Sequence, residues 1–448
     1  MTMTSAPYGR ARRVPSAAAT VTAILLLTAT GCGDSGTGGS GSEGEGTGTV
    51  VFWDNNGGVR TDNWKKIITE FEKKYPDIKV KYVGVPIADV QSKYDTAIQG
   101  GGLPDVGGVG TAYLAGLVAQ NALEPVTDRI EKSGLKGKLV TGMVTSVRAA
   151  GGSEDLYEVP TSANMGTLWY RTDLFEEAGL QPPTTWENFY KAAATLTDAK
   201  RNRFGFTIRG GAGSVAQALE MMYGQSGIDT FWNGDKTTVN DPKNVKALEK
   251  YVALYKKATP AADVNNDFVK MVAQFDQGQI GMLQHNLGSY VDHVKAFGKS
   301  RIEGIPTPPS TPGGPRTPVS NPVDGLGLFK SSKNKAAAWK FIVFAASAEM
   351  NSFSNEAAGG VPANTDAADD AWINSAKPTK TAMEALNDPA TKIVQLPYYL
   401  PDWNTLSKAD TEPMFQKVLL GKMSAQEFAD MLAEKLNTAQ ADYKKHNS

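Results

Sequence analysis

The residues able to do chemistry in this chain are few, and their spacing excludes more than it supports. Gly211-Ala212-Gly213-Ser214-Val215-Ala216 has the glycine spacing of a dinucleotide-binding turn, in which amides at a helix start cradle a pyrophosphate. That fingerprint needs an acidic residue at the end of the next strand, whereas Asp229 follows Met221-Met222-Tyr223-Gly224, which does not read as a strand. A glycine loop permitting close backbone approach is the plainer reading. Gly298-Lys299-Ser300 has the tail of a phosphate loop, but His293 stands where that loop's first glycine belongs. His285 and His293 belong to no His-Glu-x-x-His pattern, so neither a metal nor a cofactor is expected. Carboxylate pairs for glycosidic cleavage depend on a separation of about 5–9 Å that only the fold sets.

Polar groups at the ends of apolar runs offer binding more readily than catalysis. Thr49-Val50-Val51-Phe52-Trp53-Asp54 reads as a buried strand, and Asn55-Asn56-Gly57-Gly58 as the loop after it. Trp64, Ile67, Ile68, Phe71 and Tyr75 recur at helical spacing until Pro76 stops the helix. The run 78–85 alternates as a strand, 90–98 reads as a helix, and 103–106 opens another strand. Farther on, 204–208 reads as a strand before the loop Arg209-Gly210-Gly211, and 215–223, 245–257 and 264–277 as helices. This rhythm predicts an open α/β sheet, whose ligands bind beyond the carboxyl ends of the strands. The stretch 306–322, dense in proline, and Gly359-Gly360-Val361-Pro362 read as crossings between lobes or long surface loops. Trp53, Trp169, Trp186 and Trp339 lie in apolar runs and are assigned to the core.

The chain has 448 residues, enough for two domains or one two-lobed body. Lys+Arg number 46 and Asp+Glu 47, a net charge of −1 that leaves no basic surplus for a phosphate backbone, so nucleic acid is not an expected partner. A single cysteine, Cys32, rules out an internal disulfide. Arg10, Arg12 and Arg13 precede an apolar stretch, 17–30, too short to span a bilayer, which ends in Ala29-Thr30-Gly31-Cys32. This leader resembles a bacterial lipoprotein signal, which implies removal of 1–31 and lipidation of Cys32. The competing reading is a plain secretory peptide. Removing the three arginines takes the net charge from −1 to −4. The Gly- and Ser-rich stretch 32–48 is expected to be a flexible tether with a reach of roughly 20–24 Å.

Three segments, Tyr157-Glu158-Val159-Pro160, Leu168-Trp169-Tyr170-Arg171-Thr172-Asp173-Leu174-Phe175 and Ala178-Gly179-Leu180-Gln181-Pro182-Pro183-Thr184-Thr185-Trp186-Glu187-Asn188-Phe189, resemble the signature of the family 1 extracellular solute-binding proteins. Gly102-Leu103-Pro104-Asp105-Val106, the runs 275–282 and 331–342, and Gly360-Val361-Pro362 agree with it in order, so the resemblance spans about 49–448. It implies a periplasmic-binding-protein-like (type II) fold: two discontinuous α/β lobes, a hinge, and a sugar-binding component of an ABC importer. By that analogy the lobes comprise 49–163 with 324–361, and 164–323 with 362–448.

The resemblance also implies a ligand: a mono- or oligosaccharide held by planar polar groups and rings. On that basis the candidate contacts are Asp54, Asn55, Asn56, Tyr113, Asn164, Arg209, Gly210, His285, Asn286, Asp324 and Trp403. The alternatives are turn-forming Asn at 55 and 56, a solvated Arg209, a structural His285 and a core Trp403. The expected partners are the sugar, permease subunits, and the membrane through the lipid anchor only. The chain is expected to be a monomer on the outer face of the cell membrane. The rival readings are a surface glycoside hydrolase or lyase and a binder of a non-sugar solute.

Overall fold

A computed structural model describes residues 41–447 apart from Val59. Cys32, the leader 1–31 and the tether as far as residue 40 lie outside the described residues. Strands run in chain order as β1 (Gly48–Asp54), β2 (Ile78–Gly84), β3 (Val106–Gly108), β4 (Val159–Ala163), β5 (Gly166–Arg171), β6 (Trp232–Asn233), β7 (Lys236–Thr237), β8 (Met282–Asn286), β9 (Ile302–Pro306), β10 (Val323–Leu328) and β11 (Val361–Pro362). They make two main sheets. The first has the order β11-β4-β10-β3-β1-β2, with β1 parallel to β2 and β3, and β10 antiparallel to β3 and β4. The second is antiparallel in the order β8-β5-β9, and β6 with β7 forms a separate hairpin.

Apolar spacing explains both halves of the core. In helix Thr61–Lys74 the three- and four-residue recurrence buries Trp64, Ile67 and Phe71. Phe52 of β1 meets Trp64 at 4.6 Å between ring centroids and Phe341 of helix Lys335–Ala345 at 5.3 Å, closing the first lobe. In the second lobe, Tyr170 packs on Phe175 at 4.9 Å and Phe189 on Phe206 at 5.1 Å. Trp53, Trp169 and Trp186 are buried, whereas Trp339 is half-buried beneath Arg129.

The chain leaves the first sheet after Ala163 and enters the second at Gly166; it returns between Pro306 and Val323. The returning segment is less of a surface loop than its prolines suggest, since Thr307, Thr317, Val319 and Ser320 are buried. Helix Lys377–Asn387 follows β11 and touches β9, β11 and helix Thr141–Gly151, so it leans on both lobes.

Three local expectations change. Among the described residues the run 204–208 joins no sheet and makes a single bridge, Phe204 to Ile280, because Phe206 N turns to the Ala258 carbonyl at 3.0 Å. The helix expected over 264–277 begins at Phe268, because Asp267 caps it by accepting from Lys270 N at 2.9 Å, and a short 3-10 turn, Ala261–Asn265, precedes it. The described end of the tether is also not free. The first amides of helix Lys335–Ala345, at Lys335 and Ala336, lack a side-chain cap and donate to the carbonyls of Ser42 (3.2 Å) and Glu43 (2.8 Å). Asn334 Nδ2 holds Thr47 O at 2.7 Å, Lys340 Nζ holds Gly46 O at 3.0 Å, and Glu43 pairs with Arg129. Residues 41–47 are thus docked on the first lobe.

Candidate functional site

Strand direction decides which residues can meet a ligand. The ends of β1, β3 and β4 and the start of β10 share one edge of the first sheet, since Val323 pairs with Ala163 and Leu326 with Gly108. In the second sheet the start of β5 shares an edge with the ends of β8 and β9, Gly166 lying opposite Asn286 and Thr167 opposite Pro306. Both edges abut the crossing at Asn164 and Met165, so the polar groups on them stand at the end of each sheet nearest that crossing.

On the first lobe, Arg60 Nη2 pairs with Asp324 Oδ2 at 2.6 Å, each side chain 25% exposed. Asp324 holds the Arg60 guanidinium above its ordinary pKa, against the opposing effect of burial. Asp54 sits behind this pair, 1% exposed, and accepts from Tyr82 Oη at 2.9 Å and Asn56 N at 3.1 Å. Burial pushes its carboxyl up, with the tyrosine hydroxyl opposing. Asn55 is 8% exposed and wedged against the backbone; a Cβ on Gly108 would fall 2.6 Å from its Oδ1, and one on Gly110 3.7 Å from its Nδ2 and 3.4 Å from Asp324 Oδ1. Tyr113, half-buried, donates weakly to the carbonyl of Ile87 at 3.5 Å, and Ile87 itself is 62% exposed. A cavity of about 30 Å³ opens beside Arg60, Thr161, Ser162, Asn351 and Asn355.

On the second lobe, Arg209 follows the extended run through Phe206. Its backbone N donates to Gln217 Oε1 at 2.7 Å, but among the described residues its Nε is buried without a partner and no ion pair or side-chain hydrogen bond holds its guanidinium. Burial pushes its pKa down, with Tyr251, Glu412 and Asp267 partly offsetting. His285 lies parallel to Phe268 at 5.9 Å and 9°, with Nδ1 3.2 Å from Ser289 Oγ. Burial, reinforced by Arg209, pushes the imidazole down to about 3, so it is neutral at any working pH. Phe268 and Val269 are 53% and 59% exposed, an apolar edge beside Arg209 and His285 that sequence pattern did not single out.

Several expected contacts are placed elsewhere. Trp403 is 6% exposed and packed edge-on between Phe231 and Tyr398, so it is a core ring and not a stacking platform. Gly210 does not offer a bare amide: its N donates to Asp263 O at 2.9 Å, and Gly211 N to Asn266 O at 2.8 Å. Gly210 is needed for the close approach, because a Cβ there would fall 2.5 Å from the Asp263 carbonyl oxygen. Asn286 accepts from Gly288 N at 3.0 Å and caps a 3-10 turn, and Asn56 serves the turn after β1. Asn164 stands at the crossing with Oδ1 buried and unpartnered, lining a cavity of about 20 Å³. Sequence reasoning missed Arg60 altogether. It also missed Glu158, a buried carboxyl with no hydrogen bond among the described residues, which burial, then Asp324, holds well above the usual carboxylate range.

The first lobe thus groups Asp54, Asn55, Arg60, Tyr113 and Asp324, the second groups Arg209, His285 and Phe268, and Asn164 stands at the crossing. Comparison with known proteins gives the same overall fold. The family model for bacterial extracellular solute-binding proteins matches residues 57–352. A mannitol-binding protein of Pseudomonas aeruginosa is 26% identical over 84% of this chain and 89% of its own length. An arabinooligosaccharide-binding protein of Bacillus subtilis is 26% identical over 67% and 69%. Among solved structures, the GacH receptor of Streptomyces glaucescens, determined unliganded and with acarbose, is similar in fold at a TM-score of 0.74 and 23% identity, covering 88% of this chain and 99% of its own. With the family model spanning well over half of its length, this chain belongs to the bacterial extracellular solute-binding proteins.

Proposed function

We infer that the protein captures a neutral sugar or polyol, a mono- or oligosaccharide in the leading case, in the gap between its lobes and delivers it to the permease of an ABC importer. The observation that carries this reading is the pairing of a first wall whose charges are already matched, Arg60 with Asp324, against a second wall bearing one unbonded guanidinium, Arg209, beside the neutral His285 and the exposed Phe268 ring. A neutral solute with vicinal hydroxyls bonds such a guanidinium and lays its C–H face on a ring without bringing a charge that needs neutralising. The mannitol- and arabinooligosaccharide-binding relatives support that class of ligand. The contact set is Asp324, Asn55, Tyr113, Asn164, Arg209 and His285, with Asp54 behind.

In this reading the protein is a monomeric binding protein and not an enzyme, held by a lipid on Cys32 at the outer face of the cell membrane. The lobes exchange chain at 164–165, across 307–322, and between 362 and 394. Titration calorimetry of the purified protein against monosaccharides, disaccharides, trisaccharides and mannitol tests it. The expected result is micromolar binding of at least one of them, about −8 kcal/mol. Silence across the panel, or hydrolysis of a bound oligosaccharide, overturns it.

A further inference from the structure

Helix Ser214–Ser226 is buried on almost every side, and it carries one acid, Glu220, 2% exposed. Glu220 Oε1 accepts from Thr307 Oγ1 at 2.9 Å, and Oε2 accepts from Val319 N at 3.0 Å. These two residues lie near opposite ends of the segment that returns from the second lobe to the first. The crossing that enters the second lobe passes the same carboxyl: a Cβ on Gly166 would fall 2.7 Å from Glu220 Cδ. The last stretch of chain is tied in through its neighbour, since Val319 bridges Val394, Val394 N donates to Pro318 O at 2.9 Å and Ser320 N to Val394 O at 2.9 Å. Gly166, Thr307 and Val319 thus meet at this side chain, and Val394 one residue from it.

The cavity of about 20 Å³ is lined by Pro318, Val319, Ser320 and Asn321 together with Asn164 and Met165 of the first crossing. One helical turn before Glu220, Gln217 ties the same helix to the ligand-facing wall: its Oε1 accepts from Arg209 N at 2.7 Å and Tyr251 Oη at 2.6 Å, and its Nε2 donates to Gln284 O at 3.0 Å, next to His285. A single rigid element therefore links the wall to the crossings.

We propose that Glu220 is the positioning residue of the hinge, holding the crossings to the helix that carries the ligand-facing wall and so setting the angle between the lobes. The role concerns lobe geometry before any ligand arrives, and it stands whichever solute is bound. Among the described residues, Arg316 and Lys392 on the crossing segments and Glu303 on β9 make no bond to Glu220; Lys392 holds Pro389 O, and Glu303 meets Tyr170 and Lys377.

The test is a spin-label distance measurement on ligand-free full-length protein, with labels at Lys65→Cys and Lys250→Cys in a Cys32→Ser background. Glu220→Gln keeps both bonds, the amide oxygen accepting from Val319 N and the amide nitrogen donating to Thr307, and should reproduce the unmodified distance distribution. Glu220→Leu removes both and should broaden the distribution or shift it by several ångströms, with Thr307→Val giving a smaller change. A folded Glu220→Leu protein with an unchanged distribution overturns the proposal. If that variant does not fold, an unchanged distribution in Thr307→Val does so instead. Failure of every sugar to bind leaves this measurement intact.

Discussion

Glu220 has a consequence for stability that can be worked out from its surroundings. Its carboxyl is fully buried, and burial pushes its pKa up to about 7, with the bonds from Thr307 and Val319 opposing. The unfolded value is 4.5. Because the folded pKa is the higher, the native state holds a proton that the unfolded state has lost, and stability falls as pH rises from 4.5 through 7. The loss levels off above 7. At 1.36 kcal/mol per pKa unit the whole effect is about 3 kcal/mol. Asp263 shifts in the same direction, to about 7, so the pH dependence of the unmodified protein alone does not isolate Glu220. Glu220→Gln does, because it fills the same space with a group that does not ionise. Urea unfolding of both proteins at pH 4.5 and pH 8 should show the variant gaining about 3 kcal/mol relative to the parent over that interval. Parallel curves at the two pH values would refute the assignment.

Four further outcomes follow from the site and the fold. Arg209→Ala should weaken binding of whichever sugar calorimetry identifies by tenfold or more while changing the melting temperature little, since among the described residues its guanidinium makes no ion pair or side-chain hydrogen bond. Trp403→Ala should do the reverse, costing about 3–5 kcal/mol in urea unfolding with affinity retained, as expected of a truncated core ring. Gly210→Ala should be destabilising by circular dichroism melting, because its Cβ would fall 2.5 Å from a carbonyl oxygen and 2.6 Å from Val264 Cα. Deleting 41–47 should lower stability by about 1–2 kcal/mol in the same assay, because it strips the carbonyls that satisfy Lys335 N and Ala336 N.

The parts of this molecule that sequence made legible are those governed by one short-range rule. The period of Trp64, Ile67 and Phe71 follows from a helix laid on a sheet, and the apolar run of β1 from burial on both faces; neither depends on distant chain. The polar residues behave differently because their roles depend on what the fold brings against them. Nothing local marks Arg60, because its partner Asp324 stands 264 positions away in sequence and is set 2.6 Å from it only by β10. Gly210 looks like an open amide at a strand end until Asp263 and Val264 close over it. Trp403 is a candidate contact only through the family resemblance, and its contacts with Phe231 and Tyr398 make it core. Tether residues 41–47 are polar enough to stay free on composition alone; they dock because a helix start elsewhere lacks a cap. A local signal did exist for the two most informative acids. Glu158 lies between Tyr157 and Val159, and Glu220 between Leu219 and Met221, and an acid embedded in an apolar run is costly unless something in the fold uses it. In this chain one such acid backs Asp324 at the first wall, and the other holds together the segments on which the lobes turn.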